Sequence, residues 1–329
     1  MQKMMRTLAL AVVVFGLSYE ANAQRVFGDK LENEREELIP FGDMDQWVVR
    51  KIKESGIIGG KQKDVYAIGP REVIEGDAPY VAKGGSPWAT SNVLAKVAGV
   101  TKTNTSVFPE RRGTGFAARM DTRMESVRVL GLIDITVLAA GSTFLGSVHE
   151  PIKSTKNPHK ILQSGIPFSK KPRAVRFDYK IKLSGEPNRI KSTGFGKTKT
   201  IQGKDLPVMV CLLQQRWEDD KGNVYAKRVG TQVIYFYEDT DWVNDATYQI
   251  LYGDIRDNRY YLEDRMHIQD EERYTVNSKG ESVPIQEVGW GSADDTPTHL
   301  ILQFASSHGG AYIGSPGNKF WIDNVRLVY

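Results

Sequence analysis

The sequence predicts an all-β chain whose antiparallel strands pack as a two-sheet sandwich, and three observations predict it. Val175, Phe177, Tyr179, Ile181 and Leu183 alternate with Arg176, Asp178, Lys180 and Lys182, the period of a strand with one wet face. Val208 to Leu213 and much of Val229 to Tyr237 are continuously apolar, as strands covered on both faces are. No stretch carries a helical apolar period long enough for a crossover helix, which argues against α/β architectures and leaves antiparallel pairing.

In chain order, residues 1–23 read as a cleavable signal peptide. Lys3 and Arg6 start it, the run LALAVVVFGL follows at 8–17, and Ala21-Asn22-Ala23 supplies the small residues of a cleavage site before Gln24. The apolar run is half the roughly 20 residues a bilayer helix needs, so no transmembrane segment is expected after cleavage. No cysteine stands at the cleavage point, so the expected product is periplasmic or secreted without a lipid anchor. Arg25 to Leu38 is charged and reads as a solvated lead-in or short surface helix. Asp45 ahead of Gln46 to Ile52 reads as a capped helical turn or two, a minor helix near the N-terminus, ended by Gly59-Gly60.

Residues 24–80 are thus expected to form a lead-in and the first elements, although Gly59-Gly60 and Gly84 to Pro87 would also suit the edges of a small module. The sandwich domain is expected over 81–329. Its further strands are expected at 127–139, 300–305 and 320–329, with projecting loops or hairpins at 188–204 and 253–288.

Composition bounds the function. Thirty-one glycines and fourteen prolines suit a globular chain rich in turns. Cys211 is the only cysteine, so no intrachain disulfide forms, and its place in Val208 to Leu213 reads as a buried small hydrophobe. The net charge of +4 conceals an asymmetry: 153–204 carries fourteen Lys/Arg against Asp178 and Glu186, and 238–295 carries fifteen Asp/Glu against five Lys/Arg. The two stretches either compensate each other, or the basic one attracts a polyanion. Outside the cytoplasm that polyanion is expected to be an acidic glycan and not nucleic acid.

Most chemical motifs fail on their surroundings. Gly113 to Ala118 spells a dinucleotide fingerprint without the preceding strand or the following helix. Gly196-Lys197-Thr198 ends like a phosphate loop, but Lys191 stands where its upstream glycine is required. His149-Glu150 lacks the second histidine of a zinc helix, and Ser306-Ser307-His308 lacks the glycines of a nucleophile elbow.

Two constellations remain. Glu238, Asp239, Asp241 and Asp254 flank Trp242 and Tyr252, an acidic and aromatic mixture suited to glycoside chemistry, which needs two carboxylates across a cleft. Trp88 in a Gly/Ser/Pro context and Trp290 between two glycines suit stacking on sugar faces, with Asn92 as a polar neighbour.

The segments GSPWATSN (85–92), GFAARMDT (115–122), AAGSTFLG (139–146), GIPFSKKPRAVRFDYKIKLSG (165–185) and LILQFASSHGGAYIGSPGNKFWIDNVRLVY (300–329) resemble, in order and spacing, the putative carbohydrate metabolism domain family of exported bacterial proteins. The resemblance implies a jelly-roll β-sandwich like those of carbohydrate-binding modules and no established catalytic residues. Relatives often add an immunoglobulin-like domain and a lipid-anchoring cysteine, neither of which is read here. Sandwiches of this type often hold structural calcium between first and last strands, where Asp43, Asp45 and Asp323 are the right residue class; no cofactor is otherwise expected.

The leading expectation is an exported glycan-binding protein that uses Trp88, Asn92, Trp242 and Trp290. The alternatives are a glycoside hydrolase or polysaccharide lyase using Glu238, Asp241 or Asp254, and a structural or assembly protein of the cell envelope.

Overall fold

A computed structural model describes residues 34–97, 99–129, 133–153, 158–194, 196–268 and 273–329; the expected signal peptide lies outside them. The chain begins with β1 (Glu36–Leu38), which pairs with the final strand. Next, β2 (Trp47–Lys53), β3 (Gln62–Ile68) and β4 (Glu72–Glu75) form a small sheet with β2 in the middle.

The helix expected at 45–52 is therefore strand β2. Val48, Arg50 and Ile52 share its buried face, a period of two that the charge of Arg50 disguises in sequence. Arg50 can be buried because Glu150 receives it at 2.7 and 3.0 Å, and the Glu150 carboxylate also accepts the N–H groups of Tyr80 and Leu94. Asp45 caps no helix, since its Oδ1 accepts the Phe116 N–H at 2.7 Å. The only helical residues between β2 and β3 are one 3₁₀ turn, Gly56–Ile58.

The middle of the chain supplies β5 (Trp88–Thr90), the hairpin β6–β7 (Val93–Val97, Val100–Asn104), β8 (Val107–Arg112), the long hairpin β9–β10 (Gly115–Val129, Ile133–Ala140) and β11 (Ser142–Val148). After these come β12 (Leu162–Ser164), β13 (Ile166–Pro167), β14 (Ala174–Lys182) and the hairpin β15–β16 (Arg189–Lys191, Lys199–Ile201). The last third holds β17 (Val208–Glu218), β18 (Val224–Tyr235), β19 (Thr240–Gln249), β20 (Leu251–Tyr252) and one helical turn, α1 (Glu263–Met266). It ends with β21 (Tyr274–Val276), β22 (Ser282–Trp290), β23 (His299–Ala305), β24 (Ile313–Gly314) and β25 (Lys319–Val328).

Two sheets make the sandwich, as the strand patterns predict. The seven-stranded sheet runs β10-β9-β25-β14-β19, with β1 and β8 attached, and the ten-stranded sheet runs β13-β23-β17-β18-β22-β21-β12-β11-β5, with β20 attached to β18. Ser142 to Phe144 of β11 also pair with β23, so β23, β17, β18, β22, β21, β12 and β11 close into a ring. Aromatic side chains fill the space between the sheets: Phe177 packs edge-on against Phe304, and Phe236 packs tilted against Phe320, both at 4.9 Å. Burial pushes the Cys211 thiol up to about 12, which leaves it inert.

Strand β14 departs from expectation over its first half: Lys180 and Lys182 face outward as predicted, but the wet face is covered at Arg176 and Asp178. Arg176 and Asp178 are each 5% exposed, because β14 lies between β25 and β19 and their charges are neutralised in place. Arg176 binds Glu34 and Glu36 from the chain's first described residues. Asp178 and its cross-strand partner Asp323 both accept from Arg112, at 2.8 and 2.6 Å. Burial pushes Asp323 up to about 6 against the pull of Arg112. Burial also pushes Asp178 up, but the Asp245 N–H, Asn324 and Arg112 together hold it below the ordinary carboxylate range.

Two stability predictions follow from these charges. Glu150→Ala strands a buried guanidinium and is expected to cost about 3–5 kcal/mol in urea unfolding; Glu72→Ala, breaking a half-exposed pair with Lys83, is expected to cost no more than about 1 kcal/mol. Asp323 has a folded-state pKa above its ordinary value, so its favourable contribution is present at low pH and lost as pH rises through about 6. Asp323→Asn is neutral throughout, so its melting temperature relative to wild type is expected to climb between pH 4.5 and 7.5. A flat difference across that range refutes the assignment.

Candidate binding groove

The mouth of the strand ring is a groove of about 460 Å³. Its floor follows from strand alternation. Along β17, Met209, Cys211 and Leu213 point into the sandwich core, which leaves Val208 and Val210 on the opposite face. There they meet Val233 and Tyr235 of β18 and Gln303 and Ala305 of β23, their direct cross-strand neighbours. The continuous apolar run of β17 thus serves two surfaces, one core and one groove. Hairpins β6–β7 and β9–β10 supply the facing wall, through Val97, Val100, Ile135 and Val137 among others.

Polar side chains interrupt this apolar lining. Asn104 projects an Oδ1 atom that is buried without a hydrogen-bond partner, and no hydrogen bond among the described residues involves the Gln303 amide. His308 accepts the Leu206 N–H at Nδ1 (3.0 Å), lies 3.3 Å from Arg189, and packs its ring 4.7 Å from Tyr235. Arg265 covers another part of Tyr235 at 4.4 Å. Tyr274 and Tyr312 complete the aromatic lining. Glu125 is the one carboxylate among the described lining residues, and it pairs with Arg123 at 2.5 Å.

Deeper in the ring the outer-face row of β17 continues as Gln214 and Arg216. Arg228 is fully buried and binds Glu287, while its Nη1 donates to the carbonyls of Met266 and His267, tying the 253–268 loop over the sheet. Arg216 donates to Gln214 and to the Ser164 carbonyl, but its Nη1 is buried without a partner. Burial drives its pKa down, Glu287 opposes this, and Arg273, which lines the groove, reinforces it. Arginine keeps its proton in proteins, so the strain appears as a positive potential behind the groove.

The basic stretch is split between two fates. Lys170, Arg173 and Arg176 pair with Glu37 and Glu34, and Lys182 with Asp239, so part of the charge is compensated locally. Lys191, Lys197, Lys199 and Lys204, on and beside hairpin β15–β16, are exposed and pair with no described residue. That hairpin adjoins the groove: the Ser192 N–H donates to the Tyr312 carbonyl, and Thr193 bridges to Val137.

The residues singled out in sequence do not converge on the groove. Trp88 is 1% exposed, with its indole N–H on the Pro40 carbonyl, so it has no face to offer a ligand. Asn92 is a buried brace between Tyr66, Ser106 and Val107. Trp242, on edge strand β19, stacks on Arg112 at 3.9 Å, and Trp290 packs on Tyr261 and Arg228 outside the ring mouth. Glu238, Asp239, Asp241 and Asp254 are exposed surface groups; Asp254 binds Arg256, and none lines the groove.

The aspartates considered for calcium do not meet either. Asp43 and Asp45 serve the turn before β2 and the β8–β9 hairpin, whereas Asp323 faces Arg112, already a cation. Among the described residues no three His, Cys, Asp or Glu side chains cluster as metal ligands. Sequence reasoning missed Tyr235, Gln303, Asn104 and His308. Alternation along 229–237 could have paired Val233 with Tyr235 on one face, but the ring that makes that face concave has no local signal.

No curated protein matches the chain in sequence. In fold it is similar to a putative glycoside hydrolase from Bacteroides thetaiotaomicron, at 18% identity and TM-score 0.44 over 82% of this chain and 81% of that one. It is also similar to one from Bacteroides vulgatus, at 12% identity and TM-score 0.39 over 89% and 94%. No helix among the described residues is long and apolar enough to cross a membrane. The family described as putative carbohydrate metabolism domain matches residues 70–328, most of the sequence. The chain therefore belongs to that family, and its role is carbohydrate-related.

Proposed function

We propose that the chain is an exported glycan-binding protein that holds a sugar chain in the groove without cleaving it. The observation that carries this is the groove's composition: an apolar, tyrosine-lined trough that presents the unpartnered Oδ1 of Asn104 and the Gln303 amide. Sugar rings present apolar C–H faces bordered by hydroxyls, and such a lining answers both. Hydrolysis needs two carboxylates about 5–10 Å apart across the substrate. Among the described lining residues there is one, already paired.

The preferred glycan is acidic. The unpaired lysines of hairpin β15–β16 border the groove, and Arg216, with its Nη1 unpartnered, lies behind it, so uronate carboxylates meet positive potential at both rim and floor. Export, read from residues 1–23, would give the chain access to such polymers.

Polygalacturonate and neutral xylan, cast into native gels, test both parts. Wild type is expected to be retained by polygalacturonate without releasing reducing ends. Tyr235→Ala with Gln303→Ala is expected to weaken retention about tenfold, and Lys191→Glu with Lys199→Glu to weaken polygalacturonate retention in a salt-dependent way while sparing xylan. New reducing ends would overturn the binding-only reading, and equal effects on both polymers would overturn the acidic preference.

A further inference from the structure

We infer that the tip of hairpin β17–β18 is a second carbohydrate contact, an aromatic platform for a pyranose face of an extended glycan. Trp217 and Tyr225 are direct cross-strand partners, with ring centroids 5.8 Å apart and planes 22° from parallel, yet Trp217 remains 43% exposed. A tryptophan left in water forgoes more apolar burial than any other side chain could contribute, so its exposure on an ordered strand asks for a ligand.

The surroundings define the ligand. Gln215 and Lys227 share the face of Trp217 and Tyr225 by strand alternation, and Gln286 of β22 stands beside Tyr225. No described residue hydrogen-bonds the side chains of Gln215, Lys227 or Gln286. An aromatic surface edged by uncommitted amide and ammonium groups matches a sugar ring, whose C–H face stacks while its hydroxyls bond outward. A stable protein partner would need about 800 Å² of one face, and here polar groups begin one residue away from the rings.

The platform is held rigid, which spares a ligand the cost of ordering it. Glu218 accepts from the N–H and hydroxyl of Ser278 at 2.9 and 2.6 Å, and Asn277 and Lys279 donate to the carbonyls of Gly222 and Lys221. The Tyr225 hydroxyl donates to Asp219 at 3.4 Å. Gln214 and Arg216 point to the ring side of the same strand, so platform and groove lie on opposite faces and share no residue. A polymer that engages both gains avidity that a short oligosaccharide cannot.

The choice of sugar as ligand rests on the carbohydrate reading of the groove, and the test separates the two. The full chain, Trp217→Ala, Trp217→Phe and Tyr235→Ala are compared in native gels containing polygalacturonate or xylan, with thermal melts as a check on folding. Trp217→Ala is expected to lose at least about tenfold in polymer retention, with Trp217→Phe keeping most of it. Retention of Trp217→Ala equal to wild type, on every polymer that wild type binds, overturns the platform alone. Loss in Trp217→Ala beside unchanged Tyr235→Ala supports the platform and overturns the groove. Wild type retained by neither polymer overturns both. Dimerisation abolished by Trp217→Ala, with glycan retention intact, puts a second copy of the chain on this face and overturns the proposal. Should Trp217→Ala misfold, Lys227→Ala with Gln286→Ala carries the same expectation.

Discussion

The close approach of two backbones at Gly146 is the constraint on which the groove depends. Strand β11 pairs with β23 up to Phe144 and with β5 up to Leu145, then turns at Gly146 to pair with β12. Gly146 has φ 149°, and a Cβ there would stand 2.0 Å from the Gln163 carbonyl oxygen. Glycine alone permits the chain to leave one partner and take another within a single residue. That switch ties β12, and through it β21 and β22, back to β23. Without it the face bearing Val208, Val210 and Tyr235 would be an open sheet surface; with it, the face becomes the inside of a closed ring, whose mouth can surround a ligand.

Closure also decides what happens to charge. On the outer face of the seven-stranded sheet, Arg176 and Arg112 each find two carboxylates within reach, so neither cation lacks a partner. Inside the ring, Arg228 is satisfied by Glu287 and two carbonyls, but Arg216 shares the same carboxylate at longer range. His299, pushed down to about 4 first by burial and then by Arg216, adds no second positive charge beside it near pH 7. A buried cation short of partners is a cost to the fold. Such costs are retained where a ligand can relieve them, which is why the cationic end of the ring is informative about what enters the groove.

The strands were legible because their patterns are local. Alternation located β14 and the ending located β25, each with boundaries near those observed, whereas the apolar run located the start of β17 and not its polar end, which extends to Glu218. The failures share a cause. Arg50 on the buried face of β2 and Arg176 and Asp178 on β14 are charged residues placed inside by partners 66 to 146 positions away, and no local window contains those partners. A charge on one face therefore made β2 look helical and made β14 look half wet. The groove was illegible for a stronger reason, since it is assembled by ring closure among strands from β11 to β23.

Trp88 and Trp217 show how exposure is decided by the partner sheet and not by the local sequence. Trp88 stands among Gly, Ser and Pro, a context that reads as an exposed loop, yet it fills the core because β5 lies under the chain at Pro40. Trp217 stands in a strand, in a context that reads as an ordinary charged ending, yet it meets solvent because β17 and β18 outrun the sheet that covers them. The change of residue type marks where cover ends: Leu213 is fully buried, Gln215 half-buried, Trp217 exposed, all on one face. Beyond that point a strand normally turns polar, as Gln215 and Lys227 do. Trp217 and Tyr225 break that rule together and in register: stacked across the strands they stabilise the hairpin tip, and the face they leave open is one on which something apolar and flat can rest.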